Sequence, residues 1–280
     1  MFLNFNKVNR SDVQKYYSSN TVIEHYIEAT QEVGLWKSES IIFSKSFADK
    51  SESLLELGCG TGRISFGLEK LGYQKITASD FSKKMILHAR KLSRSLKSKI
   101  NFHRQDATKL SYKDESFDGV IFGFNGLMQI PGKQNRENAI IEAFRVLRPG
   151  GNFIFTAHDR SLPKWKKFWA NEQKRWREEK QDPSLLEFGD RFEETSRGKL
   201  YLHVPSVSEL RIDLQRCGFS VVGDFLRSKI ADEDIKTQKY SDECRFWICR
   251  KPSGQVFLIV STPNLSPCSR HGWPAPPYLL

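Results

Sequence analysis

No apolar run in this chain approaches the roughly 20 residues needed to span a bilayer, so no membrane-spanning helix is expected. The opening Met-Phe-Leu-Asn-Phe-Asn lacks a basic region followed by an apolar core, which argues against a secretory signal. The five cysteines (59, 217, 244, 249 and 268) include no Cys-x-x-Cys pair. Their scatter and odd number argue against a disulfide framework or a zinc site, and for a reducing, cytoplasmic setting. No His-x-x-x-His spacing occurs, so no metal is expected. Glycine is missing before Gly34. In that stretch Val13, Tyr16 and Tyr17, then Val22, Ile23, Tyr26 and Ile27, recur at helical spacing, with Ser11 a candidate N-cap and Gly34 a stop. Charge is nearly missing from residues 253–280, where Arg270 is the only Lys, Arg, Asp or Glu and five prolines interrupt the chain. That composition suits a disordered or loosely docked tail.

What is present is ordinary in total but uneven in charge. An apolar fraction of 39% and a charged fraction of 28% suit a globular protein, so extensive disorder is not expected. The 280 residues suffice for one large α/β domain with an insertion. The net charge of +11 raises the question of a polyanionic partner. From Phe81 to Arg104 there are eight Lys/Arg and no acid. Met85, Ile86, Ala89, Leu92 and Leu96 share one helical face there, so a solvated basic side on a surface helix explains the run. Trp165, Trp169 and Trp176 recur on one face of a helix that Pro163 could start. Core packing is favoured over nucleic-acid or membrane binding for that basic, Trp-bearing helix.

The organising stretch is Ser53-Leu-Leu-Glu-Leu-Gly-Cys-Gly-Thr-Gly-Arg63. An apolar strand, glycines at 58, 60 and 62, and a helical pattern through Ile64, Phe66, Leu68 and Leu71 make the first unit of a doubly wound sheet. A dinucleotide fingerprint would need glycine at 63, where this chain has Arg63. Asp80 ends the next strand about 20 positions beyond the turn, where a carboxylate can accept hydrogen bonds from both ribose hydroxyls. Ser82 then caps the following helix.

Gly58-x-Gly60-x-Gly62, with Glu56 two residues upstream, resembles motif I of the class I S-adenosylmethionine-dependent methyltransferases. Further blocks follow in the family order: Asp80, then Asp106-Ala107 past a third strand. Next come Phe122-Gly123-Phe124-Asn125-Gly126 past a fourth, and Leu147-Arg148-Pro149-Gly150-Gly151 before a fifth. These blocks cover about residues 51–156, and Gly34-Leu35-Trp36 and Ala157–Arg160 add to the match with the small-molecule-type members. The resemblance implies a Rossmann-like α/β fold with a seven-stranded sheet and an antiparallel edge strand. It implies an N-terminal helical lid over 1–50, a methyltransferase domain over 51–252, and a substrate-capping insertion at about 161–205.

By the same resemblance, S-adenosyl-L-methionine would lie against Glu56, Gly58, Cys59, Gly60, Gly62 and Arg63. Asp80 and Phe81 would hold the ribose region, with Asp106, Ala107, Gly123 and Phe124 toward the adenine and acceptor ends. Asp106 would accept the exocyclic amine. Cys59 reads as neutral filler, because methyl transfer needs no thiolate. Asn125 is the candidate to orient the acceptor and His158 the candidate base, a hydrogen-bonding role for His158 being the alternative. Tyr16, Tyr17, Met128, Arg160 and His203 are candidate substrate contacts, with ordinary packing the alternative for the tyrosines. The implied function is methyl transfer to a small molecule. RNA or protein methylation, and cofactor binding without catalysis, remain open.

Overall fold

The computed structural model describes residues 6–254. Seven strands form one sheet in the order β3-β2-β1-β4-β5-β9-β8. They are β1 (Ser53–Leu57), β2 (Lys75–Asp80), β3 (Asn101–Arg104), β4 (Phe117–Phe122), β5 (Leu147–Ala157), β8 (Ser220–Leu226) and β9 (Arg245–Arg250). β1 to β5 run parallel, while β9 lies antiparallel between β5 and β8. This is the expected doubly wound, seven-stranded mixed sheet, its antiparallel strand β9 lying next to the edge strand β8. Strand order reverses between β1 and β4, the switch point at which such sheets open a ligand crevice.

Alternation along the strands explains the two cores. Leu54, Ile121 and Ile154 face one layer, and their neighbours Leu55, Val120 and Phe153 the other. The first layer holds α3 (Lys37–Ser46), α4 (Arg63–Lys70) and α5 (Lys83–Ser95), and the second holds α6 (Lys133–Val146) and α8 (Val207–Arg216). On α5, Met85, Ile86 and Ala89 are buried and the lysines are exposed, as an amphipathic surface helix requires. Leu96 departs from that stripe. It sits at the C-cap of α5 and is 55% exposed.

Two helices precede α3, α1 (Arg10–Tyr17) and α2 (Asn20–Glu28), followed by a short π-helical turn that ends at Gly34. Asn9, not Ser11, caps α1: its side chain accepts the Ser11 N–H while Asp12 reaches back to the Asn9 N–H. After β5 comes α7 (Lys166–Arg177), then a hairpin of β6 (Asp190–Thr195) and β7 (Gly198–His203). Trp169 is buried and Trp165 packs against the same core, so those tryptophans serve packing. Between β8 and β9 the chain forms α9 (Arg227–Ile230) and α10 (Ile235–Tyr240). Among the described residues no helix is long and apolar enough to cross a membrane. The tail expected to be disordered, 253–280, lies outside the described residues beyond Gly254.

Candidate functional site

At the end of β1 the backbone turns through Gly58, Gly60 and Gly62 at φ of 62°, 55° and 98°. Only glycine enters this region freely, and space demands it as well. A Cβ on Gly58 would lie 2.7 Å from the Phe122 ring, one on Gly60 2.9 Å from Tyr26, and one on Gly62 2.8 Å from Phe66. The turn is tied to the next strand. Cys59 donates its N–H to the Ser79 carbonyl at 2.9 Å, and Gly60 donates its N–H to Asp80 Oδ2 at 2.9 Å. Asp80 Oδ1 accepts the Ser82 N–H at 2.7 Å. Burial raises the Asp80 carboxyl's pKa, and these two N–H groups pull it back.

A cavity opens over this turn. Its floor includes Glu56, Gly58, Cys59, Gly60, Asp80, Phe81, Asp106, Ala107, Gly123 and Phe124. These ten of the twelve residues expected at a cofactor cleft thus converge, and Arg63 lines it too. Gly62 stands back as the N-cap of α4. Cys59 is buried, burial raises its thiol's pKa, and nothing beside it would activate it, in keeping with filler. Glu56 accepts a hydrogen bond from the Ser65 hydroxyl, and burial pushes its carboxyl up to about 8. Arg63 is engaged with protein. It binds both carboxylate oxygens of Glu39 at 2.6 Å, donates to the Gly34 carbonyl at 2.8 Å, and lies 4.6 Å over the Trp36 ring. The Gly34-Leu35-Trp36 segment therefore serves to seat Arg63.

The two ends of the cavity differ in chemistry. One end carries the carboxylates Asp80 and Asp106, and there Asp106 Oδ1 accepts the Thr108 N–H and hydroxyl at 3.0 and 2.8 Å. The other end is aromatic: Tyr26 stands edge-on to Phe124 at 5.9 Å, and Phe124 stacks on Tyr240 at 5.1 Å. Tyr17 also lines the cavity, and burial strongly raises the pKa of its hydroxyl. Tyr16 instead contacts Thr195 of the hairpin at 3.4 Å and lines a smaller cavity.

Asn125 and His158 meet each other behind the cavity wall. His158 Nδ1 faces the Glu243 carbonyl at 2.9 Å, an acceptor only, so Nδ1 carries the ring hydrogen. Nε2 then accepts from Asn125 Nδ2 at 3.3 Å. Burial lowers the His158 pKa, consistent with this neutral tautomer. Asn125 Oδ1 is left buried without a hydrogen-bond partner.

Besides Tyr16, three expected substrate contacts are not brought to this cavity. Met128 is buried and its sulfur accepts the His158 N–H. Arg160 donates to the Val204 carbonyl at 2.9 Å and pairs with Glu209 at 2.6 Å. His203 is buried between Asp190 at 2.8 Å and Glu209 at 3.2 Å. Glu187, Asp190 and His203 lie close enough to suggest a metal site. All four acceptor positions of Asp190 are however taken by Tyr201, His203 and the N–H groups of Leu186 and Glu187, so the cluster is a closed structural network.

Comparison with known proteins agrees with this geometry. A family model described as a methyltransferase domain matches residues 54–151. The chain is 33% identical over 155 residues to a demethylmenaquinone methyltransferase of Leptospira interrogans, covering 54% of this chain and 57% of that one. It is 32% identical over 126 residues to a ubiquinone/menaquinone biosynthesis C-methyltransferase of Nitrobacter hamburgensis, covering 43% and 48%. A solved S-adenosylmethionine-dependent methyltransferase of Methanosarcina mazei superposes with a TM-score of 0.60 at 22% identity, over 75% of this chain and 97% of that one.

The chain carries a class I S-adenosylmethionine-dependent methyltransferase domain. It spans about half to two thirds of the length of the curated relatives it matches. The cofactor of this domain is S-adenosyl-L-methionine, and the glycine cradle that any Cβ would fill is the feature of the structure that suits it. The cyclase SpnF shares the methyltransferase fold, with a TM-score of 0.62 at 17% identity over 89% of this chain and 98% of that one, so fold alone does not fix the reaction. Sequence reasoning gave no role to Arg10, Glu39 or Tyr240. Glu39 accepts the Trp36 N–H at 2.9 Å, but Trp36 has no acceptor side chain to complete a capping box, so the sequence signature that would have flagged Glu39 is missing. Arg10 and Tyr240 reach the methyltransferase cavity from distant segments, and no local pattern marks them.

Proposed function

We propose that this protein transfers a methyl group from S-adenosylmethionine to a small, largely apolar, ring-containing acceptor. The observation that carries the proposal is the single cavity joining a glycine cradle and two carboxylates to a wall of Tyr26, Phe124 and Tyr240. When bound, S-adenosylmethionine supplies an electrophilic methyl on a sulfonium whose charge is lost on transfer. In this reading Asp80 accepts the ribose hydroxyls and Asp106 the adenine amine, while Gly58 and Gly60 let the methionine part approach the backbone. Glu56 faces the same space and can take an ammonium group as it ionises. α1 and α2, with Tyr17 and Tyr26, form the lid, and the insertion with β6 and β7 closes over it. The aromatic end excludes water and orients the acceptor, which together can supply much of the rate.

Behind the aromatic end of the cavity, whose lining does not include it, Asn125 is the group we assign to orient the acceptor, through its buried Oδ1. His158 fixes the Asn125 amide with Nδ2 toward the imidazole, which leaves Oδ1 for a donor group. His158 acts as that anchor rather than as the first base, since its Nε2 lone pair is occupied. The relatives' names, as quinone-pathway methyltransferases, support a small ring acceptor. An RNA acceptor finds less support, because Trp169 of the basic insertion is buried in the core and Trp165 packs against it. Incubation with methyl-labelled cofactor, once with a small-molecule extract and once with RNA and protein, tests the proposal. Label in an apolar small molecule is the expected outcome. Label only in RNA or protein, or none in any fraction, defeats it.

A further inference from the structure

Arg10 opens α1 and reaches across the cavity mouth to the far edge of the sheet. Its start is anchored: Lys7 Nζ donates to the Leu185 carbonyl at 2.7 Å and the Val8 N–H to the Ser184 carbonyl at 2.9 Å. The Arg10 guanidinium lies 5.0 Å over the Phe81 ring and donates through Nη2 to Asp106 Oδ2. Asp106 has about four acceptor positions as a carboxylate. Thr108 takes the two on Oδ1, and Arg10 takes one on Oδ2. Among the described residues one position on Oδ2 remains, and Asp106 lines the cavity together with Arg10, Phe81 and Ala107.

A guanidinium beside a carboxylate favours its ionised form, which can accept hydrogen bonds and cannot donate them. Adenine presents an exocyclic amine, a donor, at the ring position where hypoxanthine presents a carbonyl oxygen. We propose that Arg10 is a specificity-determining residue for the purine: by orienting the Asp106 carboxylate so that one acceptor position on Oδ2 is left open, it admits a ring amine and rejects a ring carbonyl. The inference rests on the reading of this cavity as the S-adenosylmethionine site. Arg10 acts through Asp106 and is a positioning residue.

The test is calorimetric binding of S-adenosylhomocysteine and of its deaminated analogue, S-inosylhomocysteine, to the full chain. Arg10→Met and Arg10→Lys are compared with the unaltered protein, with and without Asp106→Asn. The unaltered protein should prefer the adenosyl ligand by roughly 100-fold or more, as a site built for one hydrogen-bonding pattern does. Arg10→Met should cut that preference by about tenfold, chiefly through weaker adenosyl binding, and Arg10→Lys should restore part of it. In the Asp106→Asn background, Arg10→Met should change the preference no further. Equal losses for both ligands would mean that Arg10 only docks α1, and would overturn the inference. Tighter adenosyl binding by Arg10→Met would overturn it too, since Arg10 would then be competing with the base. Binding of neither ligand by the unaltered protein would overturn the cofactor reading itself, and this inference with it.

Discussion

Asp80 Oδ2 accepts the Gly60 N–H at 2.9 Å, so the acid that ends β2 and the central glycine of the turn after β1 are one mechanical unit. The carboxylate thus shapes the cradle as well as facing the cavity. Three predictions follow from the neighbourhood of this contact and one from the acceptor end.

Asp80→Ala should weaken S-adenosylhomocysteine by at least tenfold, because hydrogen bonds to a charged acceptor contribute roughly 1.5–3 kcal/mol each. It should also release the N–H groups of Gly60 and Ser82, so a loss of fold stability of about 1–3 kcal/mol is expected with it. Asp80→Asn keeps one acceptor oxygen and should fall between. Calorimetry and urea unfolding on both variants separate the two effects. Tight NADH binding with no S-adenosylhomocysteine binding would sink the assignment.

Gly60→Val should abolish cofactor binding through two costs. The backbone sits at φ of 55°, which a branched residue adopts only with strain, and its Cβ would meet Tyr26 2.9 Å away. Tyr26→Ala in the same chain should restore the space but not the backbone conformation, so rescue should be partial at best. Unchanged affinity in folded Gly60→Val would remove the glycine turn from the site.

Glu56 makes stability depend on pH with a defined sign. Burial pushes its carboxyl up to about 8 in the folded protein, well above the ordinary glutamate range. Between that range and about 8 the native state holds a proton that the unfolded chain has released, so stability falls as pH rises through this window. The fall should be on the order of a few kcal/mol and should level off at higher pH. Glu56→Gln should lack this slope. Urea midpoints across the window check it, and a parallel slope in the variant would assign the dependence elsewhere.

Asn125→Ala should lower turnover about ten- to hundredfold, the cost of an orienting hydrogen bond, with S-adenosylhomocysteine affinity nearly intact. Asn125 also sits at φ of 58°, so Asn125→Gly is the control that removes the side chain without backbone strain. His158→Ala should act in the same direction by freeing the Asn125 amide to rotate. Its loss should not grow with acceptor pKa, whereas a catalytic base would show that growth. Cofactor binding lost in Asn125→Gly as severely as in Asp80→Ala would move this residue into the cofactor pocket.

Much of this protein was legible in order along the chain. Strand, glycine turn, helix and the acid about 20 positions on are local patterns, set by backbone sterics and apolar periodicity. They named Gly58, Gly60 and Asp80, and the family resemblance added Asp106 and Phe124; the fold gathers all five around one cavity. The resemblance placed Arg160, just past the fifth strand, and His203, in the capping insertion, at the acceptor. It could not see that Glu209, a capping residue of α8, would bind both of them. Buried polar groups choose partners by proximity in space, which sequence spacing does not record.

The amino-acid sequence alone determined the succession of strands and helices and the chemistry of the glycine cradle, because these depend on contacts between neighbours or on residues that no other type replaces. Only the tertiary structure decided what faces that cradle. Arg10 arrives from the N-terminal helix and Tyr240 from the excursion between the last two strands, 230 positions apart in the chain. The contact of Arg10 with Asp106, and the stack of Tyr240 on Phe124, exist only because the folded sheet brings distant loops to one end. Long-range packing of that kind carries no periodicity and no motif, so it becomes visible only in the folded chain.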